Sequence, residues 1–298
     1  MKKTISKIIK FLYGVVPFSI SAVIYRSLVK LPLIKNIISG FFKSIIPEKI
    51  VLPEGTLFLN KNDAVVSGAV TLEIYETFEV TLFKEKIKPG MSVLDIGANI
   101  GLFTLSAATA VGENGSVFGF EPDPQNFYFL SKTISYNNFS RVKLFEKAVG
   151  DFNGKINLFI SKENRGDHRI YPVEKDNRKI ISVDITTIDT MVKDRIIPDK
   201  VDIVKVDVQG VEKQVLTGMA ELIKNSVNLK IFLEFWPYGL KKVKTEPLTF
   251  LCDLEKDFNL FEICEKKQKV VKINDLHKFV KMLSWKKYAN LLCEKIIR

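Results

Sequence analysis

Short apolar runs alternate with helical stretches through the middle of the chain. Residues 93–96 form one apolar run, residues 97–101 form a glycine turn, and residues 102–110 are the small and apolar residues of a helix. A second apolar run, residues 116–120, leads directly to the acid Glu121. Short apolar runs bounded by turn residues are typical of buried strands. The order strand, glycine turn, helix, strand, acid predicts a nucleotide-binding βαβ unit.

The alternation continues to the end of the chain. Asp123 and Pro124 begin a second helix as its cap and first residue. The other predicted strands and helices are β-like stretches over 53–71, a helix over 72–87, strands over 142–149 and 201–210, a helix over 211–224, a strand over 228–237, a helix over 247–257 and three closing strands. We therefore predict an α/β fold with a mostly parallel, doubly wound sheet. The closing strands follow one another with little helix between them, which predicts an antiparallel edge.

The glycine turn distinguishes between nucleotides. Dinucleotide-binding turns read G-x-G-x-x-G, and the first two glycines let a pyrophosphate approach. Here Asp95, Gly97 and Gly101 form D-x-G-x-x-x-G, with Asn99 where the second glycine would stand. A side chain there crowds a pyrophosphate, whereas S-adenosylmethionine has no phosphates and has a cationic amino-acid end. Its ribose would bind Glu121, since the acid after the second strand accepts ribose hydroxyls. The predicted cofactor-binding residues are Asp95, Gly97, Asn99, Gly101, Phe103, Glu121, Tyr75, Glu76 and Asp151.

Six motifs, in this order, resemble the FkbM-type S-adenosylmethionine-dependent methyltransferases. They are VLDIGANIG, FEPDPQN, AVGDFNG, GDHRIY, VKVDVQGVEKQVLTGM and LEFWP, and they cover roughly residues 60–236. The resemblance implies a class I methyltransferase fold, which is a Rossmann-like seven-stranded sheet whose last strand is antiparallel. It also implies O-methylation of hydroxyls on small molecules, sugars or polyketide-like products. Gln209 departs from the family, in which many members carry Glu, so we leave it out of the catalytic set.

Transfer of a methyl group to an alcohol needs a group that removes the hydroxyl proton. His168 lies in a polar turn and is the predicted general base, because its unperturbed pKa near 6.5 suits that work. Asp207 and Glu234 end the fourth and fifth strands, where ligands of α/β sheets bind, and complete the predicted catalytic set. Arg169 and Trp236 are the predicted substrate-binding residues. Asp207, Glu212 and Glu234 would offer oxygen ligands to Mg²⁺, but we predict no metal.

The chain has 298 residues and a net charge of +11, and most of this charge lies at the N-terminus. Nine basic residues and one acid lie within residues 1–50, which leaves 36 basic and 33 acidic residues in the remainder. A nucleic-acid enzyme usually carries basic residues over the whole domain, so we predict no nucleic-acid partner. Three cysteines without C-x-x-C spacing indicate reduced thiols and a cytoplasmic protein.

The N-terminal segment is apolar between its lysines. Its longest uncharged run, residues 11–25, is shorter than the roughly 20 residues of a membrane-spanning helix. We predict a helical N-terminal extension over residues 1–54 and a methyltransferase domain over residues 55–298. Two placements of the extension stay open, packing on the domain and contact with the inner membrane surface.

The sequence thus predicts an enzyme that transfers a methyl group from S-adenosylmethionine to a hydroxyl oxygen of a small molecule or glycan. Two alternatives remain, a non-catalytic membrane-surface scaffold with the same fold and an NAD-linked oxidoreductase. The identity of the acceptor, N- or C-methylation and the oligomeric state are left open by the sequence.

Overall fold

The computed structural model describes residues 46–297, apart from 64, 73–74, 163, 173–176 and 284–286. Residues 1–45 lie outside this part, so the predicted helical extension and its membrane contact stay predictions. Within the described residues, no helix combines the length and the apolar character that crossing a bilayer requires.

The strands and helices follow one another in the alternation expected from the sequence. The strands are β1 (Lys49–Leu52), β2 (Gly55–Phe58), β3 (Ser92–Ile96), β4 (Ser116–Phe120), β5 (Val142–Phe145), β6 (Ala148–Val149), β7 (Gly154–Ile160), β8 (Lys179–Thr186), β9 (Ile203–Val206), β10 (Lys230–Phe235), β11 (Phe258–Cys264), β12 (Lys269–Lys272) and β13 (Ala289–Lys295). The α-helices are α1 (Val66–Thr71), α2 (Thr77–Lys86), α3 (Leu102–Val111), α4 (Pro124–Tyr136), α5 (Ile188–Lys193), α6 (Glu212–Thr217), α7 (Ala220–Asn225), α8 (Pro237–Lys242), α9 (Pro247–Glu255) and α10 (Leu276–Met282).

Eight strands form one sheet in the order β12-β11-β13-β10-β9-β3-β4-β5. The five strands from β10 to β5 run parallel to one another, and β13 lies antiparallel between β10 and β11. This is the Rossmann-like sheet of class I methyltransferases, with its last strand antiparallel. The predicted fold is therefore confirmed, and β12 adds an eighth strand at the edge.

Three predicted elements differ from those observed. The strand expected over 142–149 is split, since β5 belongs to the main sheet and β6 joins β7 and β8 in a three-stranded sheet. The last six residues of the β-like region over 53–71 form the helix α1. The helix expected from residue 72 begins at Thr77, because Glu76 has a left-handed backbone conformation with φ 40° that interrupts helical geometry.

The main sheet is covered on both faces, which explains why its strands are almost wholly apolar. On one face the buried side chains include Val204, Val206 and Leu233, and on the other Val93, Val117 and Phe232. The second face also carries Phe83 of α2 and Phe103 of α3, whose rings meet edge to face. The side chains of a strand that is covered on both faces do not reach solvent. A charged side chain on such a strand therefore needs partners within the protein.

The helix predicted over 211–224 is two helices, α6 and α7, separated at Gly218 and Met219. A Cβ atom on Gly218 would lie 1.8 Å from the carbonyl oxygen of Gly150, so the chain approaches β6 more closely here than any side chain allows. The close contact fixes the small sheet against the main domain.

We expect Gly218→Ala to destabilise the protein by roughly 1–3 kcal/mol, because two backbone segments must move apart to admit the methyl group. Urea unfolding measures the change in the free energy of unfolding. Thr217→Ala, an exposed neighbour, is the control and should stay within about 0.5 kcal/mol of the wild type. Equal stability of the two variants would contradict the close contact.

Candidate active site

A cavity of about 370 Å³ opens beyond the carboxyl ends of β3, β4, β9 and β10. Its volume is within the range of small-molecule pockets. The structure brings most of the predicted site residues together here. Those that line the cavity are Tyr75, Glu76, Asp95, Gly97, Asn99, Phe103, Glu121, His168, Arg169, Asp207, Glu234 and Trp236.

The glycine turn after β3 lies against the end of β9. Gly97 has φ 89°, and a Cβ atom there would be 2.0 Å from the carbonyl oxygen of Asp207. Only glycine permits both the conformation and the approach. Asn99, at φ 52°, directs its backbone N–H to Oε2 of Glu121 at 2.9 Å. The turn therefore holds the ends of β3, β4 and β9 close together.

Glu121 occupies the position predicted for the ribose-binding acid. Its carboxyl group is buried and accepts backbone N–H groups from Asn99 and Asp123, both at 2.9 Å. Burial raises the pKa of Glu121 to about 8, and the two N–H donors only partly offset this effect. A carboxyl group removed from water in this way gains from hydrogen bonds with a ligand's hydroxyl groups.

Asp95 is satisfied within the protein. Its Oδ2 atom accepts a hydrogen bond from the Thr104 hydroxyl at 2.5 Å, and burial raises the pKa of Asp95 to about 6. Asp95 thus joins β3 to α3 at the base of the cavity.

A buried lysine is the central charge of the site. Lys205 on β9 is 1% exposed, and its ammonium group lies 3.5 Å from Oε1 of Glu79 and 3.6 Å from Oδ2 of Asp207. The Nζ atom is also 4.8 Å from the centre of the Phe103 ring. Burial alone would lower the pKa of Lys205, but the carboxylates of Glu79 and Asp207 outweigh it and raise the pKa. Lys205 is therefore a permanent cation beneath the cavity.

The ends of β9 and β10 present two carboxyl groups joined by an amide. Nε2 of Gln209 donates to Oδ1 of Asp207 at 3.1 Å and to Oε2 of Glu234 at 2.8 Å. Burial raises the pKa of Glu234 well above its ordinary value, and the nearby Asp207 raises it further. The side chain of Asp207 is 22% exposed and faces the cavity. The raised pKa of Glu234 favours its neutral form beside Asp207.

Tyr75 and Glu76 precede α2 at the opposite side of Lys205. Oε1 of Glu76 accepts a hydrogen bond from Asn290 at 3.4 Å, while its buried Oε2 has no partner among the described residues. Burial, with the charge of Glu79 added, raises the pKa of Glu76 to about 8. Glu76 is thus placed to accept a hydrogen bond from a ligand.

Residues 164–170, which follow β7, form the outer wall of the cavity, and the contacts of His168 there oppose its predicted role. Nδ1 of His168 accepts the backbone N–H of Ser161 at 3.1 Å, so the ring carries its proton on Nε2, which lies 3.8 Å from Oδ2 of Asp123. Burial lowers the pKa of His168 to about 4. The ring therefore offers a proton and not a lone pair, whereas a general base needs a free lone pair.

Two predicted cofactor residues do not line the cavity. Gly101, at φ 94°, faces Leu130 of α4, where a Cβ atom would be 2.7 Å from Cδ1 of that leucine. Asp151 is exposed, because β6 pairs with β8 and directs the following turn away from the main sheet.

Glu212, considered above as a metal ligand, is bound within its own turn, since its Oε1 atom accepts the backbone N–H of Gly210 at 2.9 Å. Within the described residues, no group of three or more His, Cys, Asp or Glu side chains could hold a metal ion.

Several functional candidates were missed from the sequence. Lys205 was recognisable as the single charge within residues 203–206, the apolar core of a central strand, which is a position that requires buried partners. Gln209 was noted only as a family departure, and Glu79 and Asn290 lie 126 and 85 residues from Lys205 in the chain. No local pattern signals such contacts, because they depend on how α2 and β13 dock.

Comparisons with known proteins agree on one type of enzyme. A family model described as methyltransferase FkbM domain matches residues 95–282. A curated protein of Sulfolobus acidocaldarius, described as a probable cobalt-precorrin-6B C(15)-methyltransferase (decarboxylating), is 30% identical over 78 residues, which is 26% of this chain and 41% of that protein. The chain thus matches less than half the length of this relative.

Solved structures of methyltransferases are also similar. The FkbM methyltransferase of Methylobacillus flagellatus KT has a TM-score of 0.41 and 16% identity, and the match covers 88% of this chain and 60% of that one. An S-adenosylmethionine-dependent methyltransferase of Aquifex aeolicus has a TM-score of 0.39 and 14% identity, covering 74% and 92%. An rRNA methylase of Streptococcus thermophilus has a TM-score of 0.41 and 11% identity, covering 75% and 96%.

We expect Lys205→Met to cost about 3–5 kcal/mol of stability at neutral pH, because it leaves the buried carboxylate of Glu79 without a counter-ion. The pKa of Glu79 is already raised by burial, and a neutral carboxyl group needs no counter-ion. The loss should therefore shrink as the pH falls through that raised pKa. Urea unfolding at neutral and mildly acidic pH measures both effects.

Lys155→Met is the matched control, since Lys155 pairs with Asp184 at 2.8 Å on the surface. Solvent screens an exposed pair, so its loss should change the stability little and should depend little on mildly acidic pH. A Lys205 variant that behaves like the Lys155 variant would contradict the central role of the buried cation.

Proposed function

This chain belongs to the FkbM methyltransferase family, and we propose that it transfers the methyl group of S-adenosylmethionine to a hydroxyl oxygen of a small molecule or saccharide. The observation that supports this proposal most strongly is that one cavity carries two groups of acidic residues, which we call its acidic rims. Glu121 lies at the end of β4, and Asp207 with Glu234 lies at the ends of β9 and β10. A nucleoside fits the first rim and a hydroxyl acceptor fits the second.

The residues of the cavity fit the cofactor. Glu121 would hold the ribose, and Pro122 with Lys147 and Ala148 would flank the adenine. Glu76 and the turn at Gly97 would hold the amino-acid end, since the buried Oε2 of Glu76 lacks a partner among the described residues and suits an ammonium group. When bound, the cofactor supplies a methyl group on a positively charged sulfur. The carboxyl groups around Lys205 favour a ligand that carries positive charge.

Asp207 is the proposed proton acceptor. It borders the cavity, and its Oδ1 atom accepts a hydrogen bond from Gln209. Glu234 has a raised pKa and would be protonated, so it can donate a hydrogen bond while Asp207 accepts one. An acceptor hydroxyl held between them loses its proton to Asp207 as its oxygen attacks, which is general-base catalysis. The residues thereby orient the hydroxyl and keep water from competing.

His168 takes a different proposed role from the one predicted. Its Nδ1 atom is bonded to the main chain of its own loop, and Arg165 in the same loop forms an ion pair with Asp123. Nδ2 atoms of Asn99 and Asn126 donate to the carbonyl of Arg165 at 3.1 and 3.0 Å. His168 would therefore hold this loop closed over the nucleoside rim.

Binding of S-adenosylhomocysteine tests the cofactor proposal. At a hundredfold excess over its dissociation constant it should add about 2.7 kcal/mol of stability, which raises the melting temperature by several degrees. NAD should not raise it. Glu121→Ala should abolish the rise, and Asp151→Ala, an exposed acid outside the cavity, should keep it. A rise with NAD alone, or an unchanged rise in Glu121→Ala, would contradict the proposal.

Turnover tests the role of Asp207. Asp207→Asn should lower kcat by roughly 10²–10⁴, the usual contribution of a general base, with little change in the affinity for S-adenosylhomocysteine. The measurement is release of S-adenosylhomocysteine with a hydroxylated acceptor that supports turnover by the wild type. His168→Gln should lower kcat far less. If His168→Gln lost more activity than Asp207→Asn, the assignment of the base would be wrong.

A further inference from the structure

One wall of the cavity carries a positively charged side chain that has no role in the proposed methyl transfer. Arg169 lines the cavity there, and its guanidinium carbon lies 4.7 Å from the ring centre of Trp236 and 5.7 Å from that of Tyr171. We propose that Arg169, stacked on Trp236, binds an anionic group of the acceptor, a carboxylate or a phosphate. The acceptor is then an acidic hydroxylated molecule, with an acidic sugar as the simplest case. This inference rests on the proposed methyl transfer to a hydroxyl group.

The orientation of Arg169 is fixed by its neighbours. Nε of Arg169 donates to Oδ1 of Asp167 at 2.6 Å, and the other oxygen of Asp167 accepts from Arg178 at 2.7 Å. The Asp167 carboxylate is thus shared by two guanidinium groups, and it holds the Arg169 side chain through Nε alone. Trp236 is only 7% exposed, so the surface on which Arg169 stacks is held by packing.

The edge of the Arg169 guanidinium group that carries its two terminal nitrogens remains available for a ligand. Among the described residues, the two terminal nitrogens of Arg169 make no hydrogen bond, while Nε is used by Asp167. These nitrogens form a planar pair of donors, which matches the two oxygens of a carboxylate or phosphate. An arginine whose role was only to hold its own loop would need nothing beyond the Asp167 contact.

The position of this edge suits an acceptor and not the cofactor. The Tyr171 hydroxyl donates to the carbonyl of Gln209 at 3.1 Å, so the Arg169 stack adjoins the turn that carries Gln209. Trp236 follows Glu234 by two residues at the end of β10. A ring that rests near Trp236 would therefore place a hydroxyl at Asp207 and Glu234 and an acidic substituent at Arg169.

Ligand-observed NMR on the full chain saturated with S-adenosylhomocysteine tests this inference. The probes are methyl glucuronide, glucose 6-phosphate and the neutral methyl glucoside. We expect at least one acidic probe to bind at least tenfold more tightly than the neutral glycoside. Arg169→Gln should remove this preference, Arg169→Lys should keep part of it, and Arg141→Gln, an exposed arginine outside the cavity, should leave it unchanged. Whichever acidic probe binds more tightly identifies carboxylate or phosphate as the anion.

Two results would overturn the inference. One is equal binding of the acidic and neutral probes, including failure of all three to bind the saturated protein. The other is an acidic preference that survives in Arg169→Gln. The melting shift with S-adenosylhomocysteine is recorded for each variant, so a folded Arg169→Gln protein is verified. Loss of that shift in the wild type would contradict the proposed function, whereas a normal shift without acidic preference contradicts only this inference.

Discussion

The ammonium group of Lys205 lies inside β9, a central strand that is otherwise apolar, and the arrangement of the site follows from the need to balance this charge. Glu79 approaches from α2 and Asp207 from the end of its own strand. Asn290 donates from β13 to Glu79, and Gln209 links Asp207 to Glu234. Since an unbalanced buried charge costs several kcal/mol, the same contacts that keep the domain folded also position the acids that line the cavity.

The two rims of the cavity differ because their strands end differently. At β4, Glu121 is held by backbone N–H groups from neighbouring turns, which suits a fixed nucleoside-binding residue. At β9 and β10 the acids are held by side chains, since Lys205 contacts Asp207 and the amide of Gln209 donates to both Asp207 and Glu234. Gly97 keeps these rims adjacent, because its missing side chain lets the β3 turn touch Asp207. In the proposed function, cofactor binding and proton transfer would thus take place at different points along one sheet edge.

The fold and the position of Glu121 at the end of β4 were predictable because their signals are local. Apolar runs, glycine turns and the acid Glu121 lie within a few residues of one another, and the sheet order follows from the alternation of strands and helices. The partners of Lys205, the direction of the His168 ring and the turn that removes Asp151 were not predictable. Each depends on how distant segments dock. Which ring nitrogen of a histidine carries the lone pair, for example, is determined by one main-chain N–H that no sequence pattern shows. The split of residues 142–149 between two sheets has the same origin.

The most direct test of this account is the orientation of bound S-adenosylmethionine labelled with ¹³C in its methyl group. Nuclear Overhauser contacts from that methyl group should reach Val208, which lines the cavity beside Asp207, while the adenine protons should contact Ala148. This result would place the transferable methyl group at the acidic ends of β9 and β10. Contacts from the labelled methyl group to Ala148 would reverse the cofactor in the cavity and contradict the assignment of Asp207 as the proton acceptor.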